Sequence, residues 1–327
     1  MSSEPSSSRY GFYGRLGARF PSQVIVDVIE ACNLECVHCP HPSFKKSPHY
    51  DSRLLDPELN AKMADEVRTH GAGLAQYIRY TSNGEPLLHA KIYEMLRYSV
   101  QSSGTTVCLT TNGTVLTEKN AVRLLETGVD LVDISLDAFS EEAYAKVRVK
   151  GDLRVTRANV LTLLRLREAA PKKTRVVLSF VEQPLNAHES IPFERYWKDQ
   201  GADYVVIRKL HSGSGAKEDV AEKLRGQTQE ARRPCLYPWE RILLNAKGYL
   251  GFCPSDWVYG SDVTDYRNTT IAEAWQSDFY QKLRQAHLGN DYNRHAFCGQ
   301  CPDWKNTEWP NQGRSYANMV QEFTERA

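Results

Sequence analysis

Six short runs rich in β-branched and aromatic residues lie at 23–29, 77–82, 105–112, 131–138, 174–182 and 204–210. Helical patterns separate them at 57–70, 90–103, 118–128, 152–170 and 192–201. This alternation constrains the fold more than any other feature of the chain. Strands spaced by helices of that length join through right-handed crossovers into a mainly parallel sheet. Six such units are too few to close an eight-stranded barrel, so the expected class is α/β, an open partial (β/α)6 barrel over 23–210. A hydrophobic fraction of 41% and a charged fraction of 25% fit a globular chain. Lys+Arg 41 against Asp+Glu 40 gives a net charge of +1. That balance excludes the basic stripe of a nucleic-acid binder, yet one local arginine still suffices to hold a carboxylate.

Three of the runs carry a polar face. Tyr77, Arg79 and Thr81 alternate with Ile78 and Tyr80; Thr106, Cys108, Thr110 and Asn112 alternate with Val107, Leu109 and Thr111; Asp133, Ser135 and Asp137 alternate with Val132, Ile134 and Leu136. A parallel strand covered by helices is expected to be apolar on both faces. A polar face therefore predicts a wet lumen lined by those side chains, against the plainer reading of polar residues at frayed strand ends.

The flanks read differently. Residues 1–22 are a polar, Ser-rich extension without the apolar centre of a signal peptide, and no run approaches the roughly 18 apolar residues of a membrane span. A cytoplasmic chain that engages neither membrane nor nucleic acid is expected. Residues 211–234, with Ser212-Gly213-Ser214-Gly215, read as a linker or mobile loop. Runs at 242–245 and 249–252 flank Ala246-Lys247-Gly248 and predict a small hairpin, followed by a helix over 271–287. Together they suggest a second small domain over 235–305, then a polar tail over 306–327.

Seven of the eight cysteines fall into two sets. In a reducing compartment, clustered thiols read as metal or cluster ligands before disulfides. Cys32, Cys36 and Cys39 form a Cx3Cx2C run just after the first strand. Three thiolates on one short loop can hold three irons of a [4Fe–4S] cube and leave the fourth open, since full ligation takes four cysteines. Zinc is the plainer alternative, with His38 as a conceivable fourth ligand, although structural zinc favours closed four-ligand sets. Cys235, Cys253, Cys298 and Cys301 form the second set, in a Cx12Gx4C pattern followed by CxxC. Here a four-thiolate cluster competes with a zinc ribbon, which also uses a hairpin and a CxxC. Cys108 lies in mid-strand and reads as a small buried residue.

The first run resembles the signature of the radical S-adenosylmethionine (SAM) superfamily, and further matches follow in that family's order. Asn83-Gly84-Glu85-Pro86 ends the second strand as the family's GGEP does, with Asn83 where Gly is usual. Thr111-Asn112-Gly113 ends the third strand, Ser135-Leu136-Asp137 ends the fourth, and Arg148 is expected on the next helix. The resemblance implies that His38, Asn83, Gly84, Glu85, Asn112, Ser135 and Arg148 surround SAM, with Ser135 and Arg148 on its carboxylate and His38 against the adenine. The second cysteine set resembles the twitch domain, a short form of the SPASM domain that holds one auxiliary [4Fe–4S] cluster. The implied cofactors are thus two [4Fe–4S] clusters, bound by Cys32, Cys36 and Cys39 and by Cys235, Cys253, Cys298 and Cys301, together with SAM. An external one-electron reductant of flavodoxin or ferredoxin type is implied as partner.

Short twitch enzymes of this layout resemble those that act on sugars and aminocyclitols in antibiotic pathways, and only 22 residues precede the first strand. Both points favour a small sugar or sugar-nucleoside over a peptide. The shared step is hydrogen abstraction from a carbinol carbon by a 5′-deoxyadenosyl radical. The resemblance implies, as the outcome, 1,2-diol dehydration of the glucuronosyl unit of cytosylglucuronic acid to a 4′-keto-3′-deoxy sugar, a lyase reaction of nucleoside antibiotic formation. Dehydrogenation of a secondary alcohol is the alternative; peptide modification and a non-catalytic Fe–S or zinc scaffold rank behind. Glu182, Glu189 and Lys209, at late strand ends, are candidates for proton transfer. Arg79, Arg208 and His211 are candidates for binding an anionic substrate. Helix capping by Glu189 and a solvated loop at 208–211 are their plain alternatives.

Overall fold

The computed structural model describes residues 19–306 apart from 82, 171 and 227–231. Most of the N-terminal extension, and the tail from 307 on, lie outside those residues. Nine strands form one sheet in the order β6-β5-β4-β3-β2-β1-β7-β8-β9. The first six are β1 (Gln23–Val26), β2 (Tyr77–Tyr80), β3 (Thr106–Thr111), β4 (Leu131–Ser135), β5 (Arg175–Glu182) and β6 (Tyr204–Lys209). Each pairs in parallel with its sequence neighbour, which is the expected partial (β/α)6 arrangement. The main crossover helices are α1 (Pro57–His70), α2 (Ile92–Ser102), α3 (Glu118–Glu126), α4 (Glu141–Val147), α5 (Leu153–Arg167) and α6 (Ser190–Asp199). Their starts are chemically marked. Asp56, Thr117, Ser140 and Asp152 each accept a backbone N–H of the first turn through the side chain, satisfying donors that have no partner inside the helix.

The C-terminal hairpin is not separate from the barrel. β7 (Arg241–Leu244) pairs in parallel with β1, from Gln23 opposite Arg241 to Val26 opposite Leu244. β8 (Tyr249–Gly251) and a third strand, β9 (Asp262–Asp265), then extend the sheet antiparallel. The reason lies in β1 itself: Val24, Ile25 and Val26 are all buried, and a strand apolar on both faces cannot remain an edge. The segment read as a linker also has structure, with a docked loop at 211–217 and a helix, α7 (Glu218–Gly226).

Two apolar clusters divide the interior. The larger packs the helices on the outside of the sheet. The smaller joins Ile25, Tyr77, Cys108, Leu131, Val177 and Leu243, one residue from each of six strands, and plugs the floor of the barrel. Cys108 is fully buried there, the small core residue expected.

Candidate functional site

The cysteine loop leaves β1 and is strapped down by its own backbone. Glu35 N donates to Val149 O at 3.0 Å, Val37 N to Val147 O at 3.0 Å, and Cys39 N to Cys36 O at 3.1 Å. Cys36 is buried and Cys32 and Cys39 nearly so; all eight cysteines are free thiols. Burial pushes the Cys32 thiol up to about 11 and Cys39 up to about 12, and raises Cys36. Thiols held together in so dry a place give up their protons only to a strongly cationic guest.

The expected SAM-binding segments meet around this loop at the carboxyl ends of the strands. Gly84 passes so close to the loop that a Cβ there would lie 2.0 Å from Ile29 O and 2.6 Å from Ala31 O. Glu85 is buried and accepts from Thr111 Oγ1 at 2.6 Å, Asn112 N at 2.7 Å and Leu87 N at 3.1 Å. Its carboxylate thus ties the second strand end to the third. Asn112 Nδ2 donates to Asn33 Oδ1 at 2.9 Å, within the cysteine loop. Asn83 Nδ2 donates to Asp256 O at 3.1 Å, so this segment also touches the C-terminal domain.

Arg148 is not on a helix but ends α4 as its C-cap. Its guanidinium donates to Asp137 Oδ2, at 2.8 Å from Nε and 2.5 Å from Nη2, and acts on the Cys36 thiol beside it. Asp137 is fully buried at a φ of 59°, and its Oδ1 accepts from Val181 N at 2.7 Å. His38 lies 3.4 Å from Asp137 through Nε2 and 3.2 Å from Gln183 Nε2 through Nδ1. Burial pushes the His38 imidazole down to about 4, so the ring is neutral at pH 7, the form suited to stacking on a base. Ser135, half-buried, ends β4 as expected.

Below this layer the lumen is polar, as the strand alternation predicted. Arg79 Nη2 and Arg208 Nη2 donate to the same oxygen of Asp133, at 2.9 and 3.0 Å. Thr110 Oγ1 accepts from Arg79 at 2.9 Å, and Ser179 Oγ donates to the other Asp133 oxygen. Asp133 and Asp137 are visible in the sequence as part of the polar face of the fourth run, whereas Ser179 is not singled out there; its signal is its place on the next strand, opposite Ser135.

The proton-transfer candidates are not brought together in the lumen. Glu182 and Lys209 face each other in the β5–β6 register. By strand alternation they share the face of Phe180, which packs on Phe193 of α6, opposite to Ser179 and Arg208, and both are exposed. Glu189 is buried and accepts from Phe139 N at 2.7 Å, Ser140 N at 3.2 Å and Ser140 Oγ. It caps a helix, as its plain alternative held, but α4 rather than its own. His211 stands just past β6, exposed, and acts electrostatically on His38.

The second cysteine set gathers from three places. Cys253 follows β8, Cys298 and Cys301 lie in and after the helix Ala296–Gln300, and Cys235 precedes the turn Tyr237–Glu240. Cys301 N donates to Cys298 O at 3.1 Å and Cys235 N to His287 Nδ1 at 3.2 Å. Burial raises Cys253, Cys298 and Cys301, with Cys301 at about 11, and Cys235 adds to each rise. Free, buried thiols grouped as three and as four fit two iron–sulfur clusters, one on Cys32, Cys36 and Cys39 and one on Cys235, Cys253, Cys298 and Cys301.

This fold and donor set define an iron–sulfur enzyme built on a partial β/α barrel, and family comparison specifies it. Residues 26–179 match the Radical SAM superfamily and residues 235–302 the SPASM iron–sulfur cluster-binding domain. The chain thus carries a Radical SAM domain followed by a SPASM-type domain, which implies a SAM-binding [4Fe–4S] cluster, SAM and an auxiliary cluster. The GTP 3′,8-cyclase of Chlorobaculum tepidum is 36% identical over 125 residues, 38% of this chain and 35% of that protein. The GTP 3′,8-cyclase of Limosilactobacillus fermentum is 27% identical over 61% of this chain and 58% of its own. The matches thus span between a third and three-fifths of these relatives. Among solved structures, BtrN in complex with AdoMet and 2-DOIA superposes with a TM-score of 0.58 at 16% identity, over 86% of this chain and 92% of that one. SuiB of Streptococcus suis bound to precursor peptide SuiA gives 0.62 at 12%, over 93% and 73%. At such identities the likeness is one of fold. No helix among the described residues is long and apolar enough to cross a membrane.

Proposed function

We propose that the enzyme removes hydrogen from a secondary carbinol carbon of an anionic sugar and carries out 1,2-diol dehydration. The proposed substrate is cytosylglucuronic acid, and the product its 4′-keto-3′-deoxy form, as in blasticidin S biosynthesis. The observation that carries this reading is the pairing of two guanidinium groups, Arg79 and Arg208, with one carboxylate, Asp133, inside the lumen. Two cations on one anion leave a positive charge below the SAM layer, and a guanidinium edge matches a sugar carboxylate.

With Cys32, Cys36 and Cys39 holding the cluster, SAM would supply the radical chemistry that takes the hydrogen atom. The chain holds the substrate by its carboxylate, orients the sugar and keeps water out above the apolar floor. Loss of the neighbouring hydroxyl as water needs a proton donor. Glu189 is committed to α4 and Glu182 and Lys209 lie on the outer face, so none of these three is offered as that donor. The carbonyl-stabilised radical that remains takes one electron, from the external reductant, and one proton. Dehydrogenation is the second reading, supported by the auxiliary thiol set, whose cluster could accept the electron instead.

Anaerobic turnover with cytosylglucuronic acid, read by product mass, tests this. Loss of one water is the expected result. Loss of two hydrogens instead assigns the dehydrogenase reading, and an unchanged substrate removes cytosylglucuronic acid. GTP serves as the parallel substrate, because the cyclases are relatives by sequence.

A further inference from the structure

The loop at 211–217 holds an expensive conformation. Gly213, Ser214 and Gly215 have φ values of 62°, 57° and 101°. A glycine adopts these freely, but an L side chain there costs about 1–2 kcal/mol. The first glycine is also required sterically: a Cβ on Gly213 would lie 2.7 Å from Pro40 Cγ and 3.1 Å from Trp257 Nε1. No backbone reason calls for a serine between two glycines.

The Ser214 side chain supplies the reason. Its Oγ lies 3.4 Å from Cys253 Sγ, within hydrogen-bond reach of that sulfur. Asp303, two residues past Cys301, locks the loop in place. One of its oxygens accepts from Ser212 N at 2.8 Å and Ser212 Oγ at 2.9 Å, the other from Ser214 N at 2.7 Å. Gly215 N then donates to Ser212 Oγ at 2.9 Å, and Ser212 is fully buried. A strained residue held by this many bonds points to a role for its side chain.

We propose that the Ser214 hydroxyl donates a hydrogen bond to the Cys253 sulfur of the auxiliary cluster and so sets that cluster's reduction potential. Between a thiol and a hydroxyl either group can donate, but a cysteine bound to iron has no proton, so the hydroxyl must. A donor on a ligand sulfur favours the reduced, more negative state and raises the potential. Ser214 is a positioning residue in this role, touching neither SAM nor substrate. Because Gly213 packs on Pro40, next to Cys39, the same loop links both cysteine sets, while the hydroxyl contacts only the auxiliary one.

The test uses the anaerobic holoenzyme without substrate, so its outcome is independent of which reaction the enzyme catalyses. Redox titration followed by electron paramagnetic resonance compares the wild type with Ser214→Ala and Ser214→Gly. Both variants are expected to make reduction of the auxiliary cluster about tenfold less favourable, a shift of about 59 mV for one electron, with the SAM-site cluster unmoved. Equal shifts separate loss of the hydroxyl from relief of backbone strain, which only glycine gives. In D2O, the reduced wild-type auxiliary cluster is expected to show an exchangeable deuteron coupling that both variants lack. Unchanged potentials, or a shift in the glycine variant alone, overturn the proposal. Should the variants fail to retain iron, absence of that coupling in the wild type overturns it by itself.

Discussion

Arg208 reaches one oxygen of Asp133 from β6 while Arg79 reaches it from β2, and the buried carboxylate holds both. Each arginine side chain stays partly exposed, 18% for Arg79 and 30% for Arg208, so an anionic substrate could meet them. Replacing Arg208 by Gln is expected to raise KM for a sugar carboxylate by ten- to a hundredfold, in line with the roughly 1.5–3 kcal/mol of a charged hydrogen bond. The methyl ester of the same substrate should lose much less; equal losses for acid and ester would remove the anion-binding role. Asp133 was visible in the sequence only as part of a polar strand face. Nothing local announces that two arginines more than a hundred residues apart share it, because that meeting is a product of the register.

At the scale of elements, Glu189 shows how one carboxylate can serve a neighbouring helix. It accepts from Phe139 N, Ser140 N and Ser140 Oγ at the start of α4, so Glu189→Ala leaves half-buried donors unmet. The expected cost is about 1–3 kcal/mol in chemical denaturation. If the variant instead keeps full stability and loses turnover, Glu189 belongs to the chemistry. The β7–β9 extension carries a different signature. Asp262 of β9 is partly buried near Asp256, and burial with that neighbour pushes its carboxyl up from 3.8 to about 7. A folded pKa above the unfolded one favours folding fully below about 3.8, and the benefit is lost as pH rises through about 7. Unfolding midpoints should therefore fall between about pH 5 and about pH 8 in the wild type and flatten in Asp262→Asn. An identical slope in both proteins would assign the titration to another group. The hairpin itself was legible from Ala246-Lys247-Gly248. Its pairing with β1 was not, since local pattern fixes which residues form a strand but not which distant strand covers it.

For the whole molecule, two cysteine sets on one continuous sheet predict about eight irons per chain after anaerobic reconstitution. Changing Cys32, Cys36 and Cys39 together to Ala should leave about four and abolish 5′-deoxyadenosine formation. Persistence of that product would sink the radical reading. The sequence by itself determined the strand–helix order, the grouping of seven cysteines and the succession of SAM segments, because each rests on spacing along the chain. Only the tertiary structure decided that Glu182 and Lys209 turn outward and that Glu85 and Glu189 are spent on backbone donors. It likewise decided that Arg79 and Arg208 converge, and that the stretch read as a linker lays Ser214 against Cys253. Those outcomes depend on register, on which face of a strand meets the lumen, and on which buried donors lack partners. Such quantities exist only once distant segments have packed.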